Sequence, residues 1–292
     1  MYGAAASAPD NAGSVAGVGR LPRGSMLEVE FAQVSDCGRV RDHNEDYAGH
    51  VVPADALEVR ARGCLFALAD GVGGHDSGEV ASHDAIETLL EGFRSAPTGE
   101  SHPTLVRRLI QTANERVYTA GHAARPGGGR MATTVVACAL RFDRAVIAHV
   151  GDSRCYLIRG NNATLLTRDH TMVNEQLRLG VISGGEAAQS NARNVLTRSL
   201  GLDLIANVDV SENQVLPGDV FLLCSDGLHG SVNGSDMAET VHRSSDLEWA
   251  ARSLIALANE RDGGDNISIQ LIRVKGVERV GMYRGRPYKL PG

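Results

Sequence analysis

Runs of apolar residues along the chain predict several β-strands. Leu27, Val29 and Phe31 alternate with charged residues, which is the period of a strand. Later runs are short, strongly apolar and bounded by turn-forming residues, a pattern that also favours strands. These further predicted strands cover 64–69, 133–140, 146–150, 220–224 and 267–274.

Apolar residues spaced at i, i+3, i+4 and i+7 predict three amphipathic helices. Their apolar stripes cover 86–93, 106–117 and 251–258. Gly263 or Gly264 would end the third helix, because glycine tolerates the conformation that closes a helix C-terminus. The stripes are interpreted as core faces, so the chain combines helices and strands.

The organisation of the chain predicts one folded domain with two extensions. Residues 1–25 are rich in Ala, Gly, Ser and Pro and lack a periodic apolar pattern, so we expect a flexible N-terminal tail. The domain itself is predicted over 26–275, without internal repeats. Residues 276–292 are basic and are expected to form a solvated C-terminal extension.

Four aspartates stand at the ends of predicted strands. Asp70, Asp152 and Asp226 each follow an apolar run and precede glycine or serine, and Asp265 comes directly before the last run. A single Asp-Gly pair is commonly only a turn. The repetition of the arrangement instead indicates a shared site at one edge of the fold.

Carboxylates that converge on one site suit hard divalent cations. Oxygen ligands without histidine at ligand spacing or paired cysteines favour Mg²⁺, Mn²⁺ or Ca²⁺ and disfavour zinc and iron. Several aspartates close together would repel one another unless cations neutralised them. Two such ions can share a water, lower its pKa and direct it at a phosphoryl group, so phosphoester hydrolysis is the predicted chemistry.

Arg41 lies close in sequence to Glu45 and Asp46. The planar guanidinium matches a phosphate group and would stabilise charge in the transition state. One arginine beside carboxylates is often only a surface salt bridge. Next to a cluster of metal-ligating aspartates, the phosphate-binding interpretation gains weight.

The net charge and the cysteines bear on which partners the protein can bind and on the compartment in which it is expected. The net charge of −6 and the pI of about 5.9 argue against binding nucleic acid or an anionic membrane. The five cysteines are scattered singly, so we expect them to be reduced. No apolar stretch of about 18 residues and no secretory signal are present, so a cytoplasmic protein is expected.

Several short motifs, in order along 27–274, resemble the type 2C, metal-dependent (PPM) family of serine/threonine protein phosphatases, in its bacterial form. The matching segments are Arg41-x-x-Asn-Glu-Asp46, Asp70-Gly-Val-Gly-Gly74, Met131-Ala-Thr-Thr134, Gly151-Asp-Ser-Arg154, Leu166-Thr-Arg-Asp-His170, Leu196-Thr-Arg-Ser-Leu-Gly201, Ser225-Asp-Gly227 and Gly264-Asp-Asn266. The resemblance implies an α+β fold: a central β-sandwich of two mainly antiparallel sheets flanked by antiparallel helix pairs, four layers in the order αββα.

The resemblance also implies a set of site residues. Asp70 would bridge two Mn²⁺ or Mg²⁺ ions, the Gly71 carbonyl would bind one, and Asp226 and Asp265 would hold the other. Further roles follow in the same way: Asp46 and Glu45 would act mainly through metal-bound waters, Asp152 would help to hold a weaker third ion, and Arg41 would bind phosphate. Residues 171–193 would form a mobile flap beside the substrate cleft.

The chain departs from many eukaryotic relatives directly after Asp70-Gly71. Those relatives carry a histidine that is proposed to protonate the leaving alkoxide, whereas this chain has Val72. His75 is a candidate substitute, although a histidine in a glycine-rich turn is more often a local hydrogen-bonding group. A metal-bound water is the preferred donor.

Three functions compatible with these motifs differ in class. The main prediction is hydrolysis of phosphoserine and phosphothreonine in proteins by a metal-activated water without a phosphoenzyme, in a monomer that serves a serine/threonine kinase pathway. A catalytically silent phosphoprotein-binding module is an alternative, but it would tolerate loss of the aspartates, which are all present. A phosphatase of a small phosphorylated metabolite is the other alternative.

Overall fold

The computed structural model contains two large β-sheets, one two-stranded sheet and eight helices among the residues that it describes, which are 15–20, 26–72, 77–124, 131–190, 192, 194–283 and 286–290. The strands are β1 (Val15–Arg20), β2 (Leu27–Asp36), β3 (Asp46–Val51), β4 (Cys64–Asp70), β5 (Val135–Arg141), β6 (Arg144–Val150), β7 (Arg154–Arg159), β8 (Asn162–Leu165), β9 (Asp209–Gln214), β10 (Val220–Cys224), β11 (Ile267–Val277), β12 (Val280–Tyr283) and β13 (Arg286–Lys289). The helices are α1 (Ala56–Arg62), α2 (Gly78–Ser95), α3 (His102–Ala124), α4 (Met172–Arg178), α5 (Gly184–Gln189), α6 (Asp226–His229), α7 (Gly234–Arg243) and α8 (Leu247–Arg261).

Both large sheets are antiparallel throughout. The first has the strand order β1-β2-β11-β10-β7-β8, and the second has the order β3-β4-β5-β6-β9. Strands β12 and β13 form a separate two-stranded hairpin. Every predicted strand lies within or overlaps an observed one, which confirms the strand assignments.

Three apolar clusters hold the layers together. One fills the space between the two sheets and contains Phe31, Phe66 and Phe221. A second packs α2 and α3 against the second sheet, and a third packs α6, α7 and α8 against the first sheet. Two helical layers therefore flank two sheets, which confirms the predicted α+β sandwich.

The predicted helices α2, α3 and α8 follow from their stripes and their ends. In α8, Asp246 caps the N-terminus by accepting hydrogen bonds from the backbone N–H groups of Glu248 and Trp249. The helix ends at Arg261, and Gly263 has a φ of +67° just beyond it. This end delivers the following residues, up to Asp265, to the edge of the first sheet.

The prediction of a flexible N-terminal tail is wrong for residues 15–20. These residues form β1, which pairs with β2 over six residues and extends the first sheet. Glycines made the segment resemble a linker, but at Gly19 a Cβ atom would lie 2.4 Å from the Phe31 ring. The missing side chain allows the strand to lie over an aromatic residue.

The basic C-terminal extension contains regular structure as well. Strand β11 continues to Val277, two residues past the predicted domain end, and the β12–β13 hairpin follows. In the described part of the chain, no helix combines the length and the apolar character that a membrane span requires.

Candidate active site

The register of two strands places two predicted ligands side by side. Asp46 at the start of β3 is the direct partner of Asp70 at the end of β4. The Ser225 hydroxyl, which follows β10 of the other sheet, donates a 2.7 Å hydrogen bond to Oδ2 of Asp46. The same end of both sheets therefore contributes to one site.

The buried position of Asp46 leaves one of its oxygens without a partner. Among the described residues, no donor reaches Oδ1, although the atom is shielded from solvent. Burial raises the pKa of Asp46 to about 7, and the charges of Asp226 and Asp265 act in the same direction, against the lowering effect of hydrogen bonds from Ser225 and Ser268. An unpartnered buried carboxylate oxygen is suited to a cation.

Asp70 and Asp226 lie within hydrogen-bonding reach of each other. Burial raises the pKa of Asp226 to about 6, aided by Asp265 and opposed by the contact with Asp70. Burial, followed by the charges of Asp46 and Asp226, raises the pKa of Asp70 well above its usual range. Carboxyl groups this close can be ionised together only if positive charge is brought among them.

Asp265 pairs with Arg41 at the more open side of the site. Nη2 of Arg41 lies 2.8 Å from Oδ2 of Asp265, and both side chains are about four-tenths exposed, at 44% and 39%. This hydrogen bond is the main cause that raises the pKa of Arg41. The predicted phosphate-binding arginine therefore lies beside the predicted metal ligands.

Asn266 connects the loop of Arg41 to the strand that follows Asp265. Its Nδ2 donates to the carbonyls of Cys37 and His43 at 3.1 and 2.9 Å, and its Oδ1 accepts from the Glu45 N–H at 2.8 Å. Asn266 belongs to the Gly264-Asp-Asn266 motif, and its structural role is visible only in the fold. An asparagine between a candidate ligand and an apolar strand was the signal available in the sequence.

Glu45 and Gly71 meet through their backbones. The Gly71 N–H donates to the Glu45 carbonyl at 3.1 Å. A Cβ on Gly71 would lie 2.5 Å from the carbonyl oxygen of Gly78, so only glycine fits. Burial, followed by the charge of Glu79, raises the pKa of Glu45.

Asp152 joins the same acidic region from the end of β6. Burial raises its pKa to about 7, with further contributions from Asp226 and Asp169. Its carbonyl lies 3.0 Å from Nε2 of His229. Next to it, Arg154 forms a two-pronged ion pair with Asp169, at 2.8 and 2.6 Å. Asp169 is therefore neutralised by an arginine, whereas no ion pair to Asp152 is seen among the described residues.

The donor set fits divalent cations. The predicted ligands supply only oxygen atoms, which are the preferred ligands of Mg²⁺ and Mn²⁺. The raised pKa values of Asp46, Asp70, Asp152 and Asp226 share two causes, burial and the nearness of like charge. Divalent ions would remove the second cause and would give Oδ1 of Asp46 a partner.

A cleft of about 450 Å³ opens from these carboxylates. Its lining includes Asp152, Asp226 and Asp265, and part of it comes from the predicted flap. The flap residues in this lining are Thr171, Val173, Asn174 and Leu177.

A second group of possible ligands lies outside this site. Side-chain atoms of His149, His170 and Asp209 lie within 4.8 Å of one another. However, the two rings are stacked at 4.7 Å with an interplanar angle of 10°. Imidazole lone pairs lie in the ring plane, so nearly parallel rings cannot both point at one ion. Arg168 and Arg198 already pair with the Asp209 carboxylate, and we therefore interpret the group as a hydrogen-bonding network.

The candidate proton donor His75 lies outside the described residues. Val72, which replaces the histidine of many relatives, is described, and its N–H donates to the Ala132 carbonyl at 3.0 Å. His229 lines the cleft, although no sequence motif had marked it as a candidate site residue. Burial, followed by the nearby charge of Arg154, lowers its pKa to about 4.

Comparisons with known proteins agree with this geometry. The family model described as Protein phosphatase 2C matches residues 32–267. The serine/threonine phosphatase stp of Listeria welshimeri serovar 6b is 36% identical over 263 residues, which are 89% of this chain and 99% of that protein.

Two solved structures extend the likeness to three dimensions. The serine/threonine phosphatase Stp1 from Staphylococcus aureus has a TM-score of 0.76 at 31% identity, over 87% of this chain and 97% of that one. The catalytic domain of the serine/threonine protein phosphatase PstP, solved in complex with 2 manganese ions, has a TM-score of 0.71 at 30% identity, over 85% of this chain and 99% of that one.

Proposed function

Since the chain belongs to the protein phosphatase 2C family, we propose that its strand-edge carboxylates form the centre at which it hydrolyses phosphoserine and phosphothreonine in proteins. The chain is a serine/threonine protein phosphatase that depends on divalent metal. One observation carries the assignment of the centre: Asp46 is the cross-strand partner of Asp70, and Asp70 in turn contacts Asp226. Oδ1 of Asp46 lies in this group without a hydrogen-bond partner among the described residues.

The ligand roles in this proposal are those that the resemblance to the family implies, and the positions of the side chains are compatible with them. Asp70 lies between Asp46 and Asp226 and would bridge two Mn²⁺ or Mg²⁺ ions. The Gly71 carbonyl would bind one of them, and Asp226 and Asp265 would hold the other. Glu45 would act mainly through bound water, and Asp152, with Asp226, would hold a weaker third ion.

When bound, the divalent ions lower the pKa of a water molecule and offset the charge of the phosphoryl oxygens. The residues of the chain supply the remaining functions. Arg41 lies at the open side and would orient the phosphate through its guanidinium, after exchanging its contact with Asp265. No serine or cysteine is needed as a covalent nucleophile in this scheme.

The leaving alkoxide must gain a proton, and Val72 cannot donate one. We propose that solvent held at the centre supplies it and that His75 is dispensable. His75→Ala with normal turnover of a phosphopeptide is the expected result. Loss of turnover with an intact fold and intact metal binding would assign the role to His75.

The proposed compartment and partners are based on the net charge and the cysteines of the chain. The net charge of −6 disfavours nucleic acid and membrane surfaces. All five cysteines are unpaired, and four of them are buried, as suits a reducing compartment such as the cytoplasm. The proposed substrates are products of a serine/threonine kinase pathway, and the proposed state is a monomer.

The test is Mn²⁺-dependent release of phosphate from a phosphothreonine peptide. Wild type should turn over, and Asp70→Asn should lose most of its activity because both ions lose a ligand, a loss of about 10²-fold or more. Asp42→Asn, which changes an exposed carboxylate in the neighbouring loop, is the matched control. Bound Mn²⁺ without turnover in wild type would favour the silent binding module. A larger kcat/KM for small phosphorylated metabolites would favour the third alternative.

A further inference from the structure

The two ends of the flap pair with each other through the backbone. The Met172 N–H donates to the Val195 carbonyl and the Thr197 N–H donates to the His170 carbonyl, both at 2.8 Å. We call this paired segment the flap neck: residues 170–172 and 195–197. The chain enters and leaves the flap through this segment, so the contacts of the neck bear on where the flap points.

One carboxylate on strand β9 contacts side chains on both sides of the neck. Oδ1 of Asp209 lies 3.0 Å from Nη1 of Arg198, which follows the neck. Oδ2 lies 3.3 Å from Nε2 of His170 and 3.2 Å from Nη2 of Arg168, which lie at the start of the neck and before it. Within the described part of the chain, Asp209 is the only carboxylate that either arginine contacts.

The orientation of His170 is fixed independently of Asp209. Its Nδ1 accepts a 3.1 Å hydrogen bond from the Gly151 N–H, so a neutral ring carries its proton on Nε2. That nitrogen lies 3.3 Å from Oδ2 of Asp209 and 3.3 Å from Nη1 of Arg198, and only the carboxylate can accept its proton. Its ring stacks on His149, which is the cross-strand partner of Asp209 in the β6–β9 pair. Asp209 therefore faces the Nε2–H of His170 at the start of the neck and the guanidinium of Arg198 after its end.

Asp209 does not line the cleft, whereas the flap does. Thr171, Val173, Asn174 and Leu177 line the cleft together with Asp226. Rotation of the neck would move these flap residues relative to the carboxylates, which it would not touch. The width available to a peptide would change, while the space for a bare phosphate group would not.

We propose that Asp209 is a positioning residue that holds the flap neck and thereby sets the width of the substrate cleft for phosphoproteins. The inference rests on the proposed function for its kinetic consequence. Its structural part, the fixation of the neck, does not depend on catalysis. The two parts are therefore measured separately.

The test compares Asp209→Asn with a matched control on the same strand. Glu212→Gln removes the same charge from β9, and its partner Arg144 lies 3.7 Å away on β6 and is not part of the neck. Asp209→Glu keeps the charge and serves as the rescue variant. All three are made in the full chain.

Hydrogen exchange measures the neck directly. In Asp209→Asn we expect the Met172 and Thr197 amides to exchange about tenfold faster, while amides of the sheet core remain unchanged. Glu212→Gln should match wild type, and Asp209→Glu should restore part of the protection. This measurement needs no activity, so it holds even if the proposed function fails.

Kinetics with two substrates measure the cleft. For a phosphothreonine peptide, Asp209→Asn should raise KM by about five- to tenfold, with a smaller effect on kcat. For a small aryl phosphate, both constants should stay near wild type. The number of bound Mn²⁺ ions should not change.

Two results would overturn the proposal. One is equal exchange of the neck amides in Asp209→Asn and Glu212→Gln. The other is faster exchange throughout the sheets with a parallel loss of activity on both substrates, which would make Asp209 a general stability residue. Failure of the wild type to act on any phosphopeptide, with neck protection still dependent on Asp209, would refute the proposed function and leave the positioning intact.

Discussion

Replacing Asp46 by asparagine tests two effects of the buried carboxylate. One is its destabilisation of the metal-free fold, and the other is its contribution to metal binding. Burial raises the pKa of Asp46 from 3.8 to about 7. Because one pKa unit corresponds to about 1.4 kcal/mol, keeping this carboxylate ionised costs the metal-free fold up to about 4 kcal/mol above pH 7. Between about pH 4 and pH 7 the folded state binds more protons than the unfolded state, so the free energy of unfolding falls as pH rises.

Asparagine removes the charge but adds an amide donor. Its oxygen can still accept from Ser225, whereas the amide nitrogen would stand where Oδ1 has no partner among the described residues. That unpartnered donor costs about 1 to 3 kcal/mol. Metal-free Asp46→Asn should therefore be more stable than wild type by about 1 to 3 kcal/mol at pH 8, and about equal to it at pH 5.

The assay is chemical denaturation with a chelator at pH 5 and pH 8, repeated with Mn²⁺. Saturating Mn²⁺ should stabilise wild type by about 2.7 kcal/mol at a hundredfold excess over Kd, and Asp46→Asn by much less. If Asp46→Asn were destabilised equally at both pH values in chelator, the carboxylate would be an ordinary structural acceptor. The account in which burial, with the neighbouring charges, makes this ionised carboxylate costly until metal binds would then be refuted.

Three other substitutions test neighbouring parts of the site. Arg41→Lys keeps the charge but not the planar fork, so kcat/KM for a phosphopeptide should fall about tenfold while calorimetry shows unchanged Mn²⁺ binding. Asn266→Ala leaves two carbonyls and one N–H without their partner, so the free energy of unfolding should fall by about 2 to 4 kcal/mol in urea titrations. Gly38→Ala forces a Cβ to within 2.2 Å of the Asp265 carbonyl at a φ of +75°, so it should weaken Mn²⁺ binding and stability together, by about 1 to 3 kcal/mol in denaturation. If any of the three variants behaved like wild type in its assay, the role inferred here for the replaced residue would be contradicted.

The fold was predictable where local pattern and burial coincide. The stripes of α2, α3 and α8 and the apolar runs of the central strands appear in the sequence at the spacing of the structure. Strand β1 was not predictable in this way, because its glycine content resembles a linker and its stability comes from pairing with β2. Pairing between segments distant in sequence leaves no local signal.

The same distinction applies to the candidate site. Aspartates at strand ends could be found because the strands themselves were visible, and antiparallel register then brings Asp46 to Asp70. The role of Asn266 and the contacts of Asp209 depend on which loops meet in space. His149 and His170 also lie far apart in sequence, so their stacking could not be foreseen.

Anomalous diffraction from crystals soaked in Mn²⁺ tests the central claim most directly. We predict two strong anomalous peaks on either side of the Asp70 carboxylate, one within ligand distance of the Gly71 carbonyl and the other within ligand distance of Asp226 and Asp265. A weaker third peak should lie near Asp152. Crystals of Asp70→Asn should lose the two strong peaks. Manganese bound instead at His149, His170 and Asp209, with none at Asp70, would contradict the assignment of the metal centre.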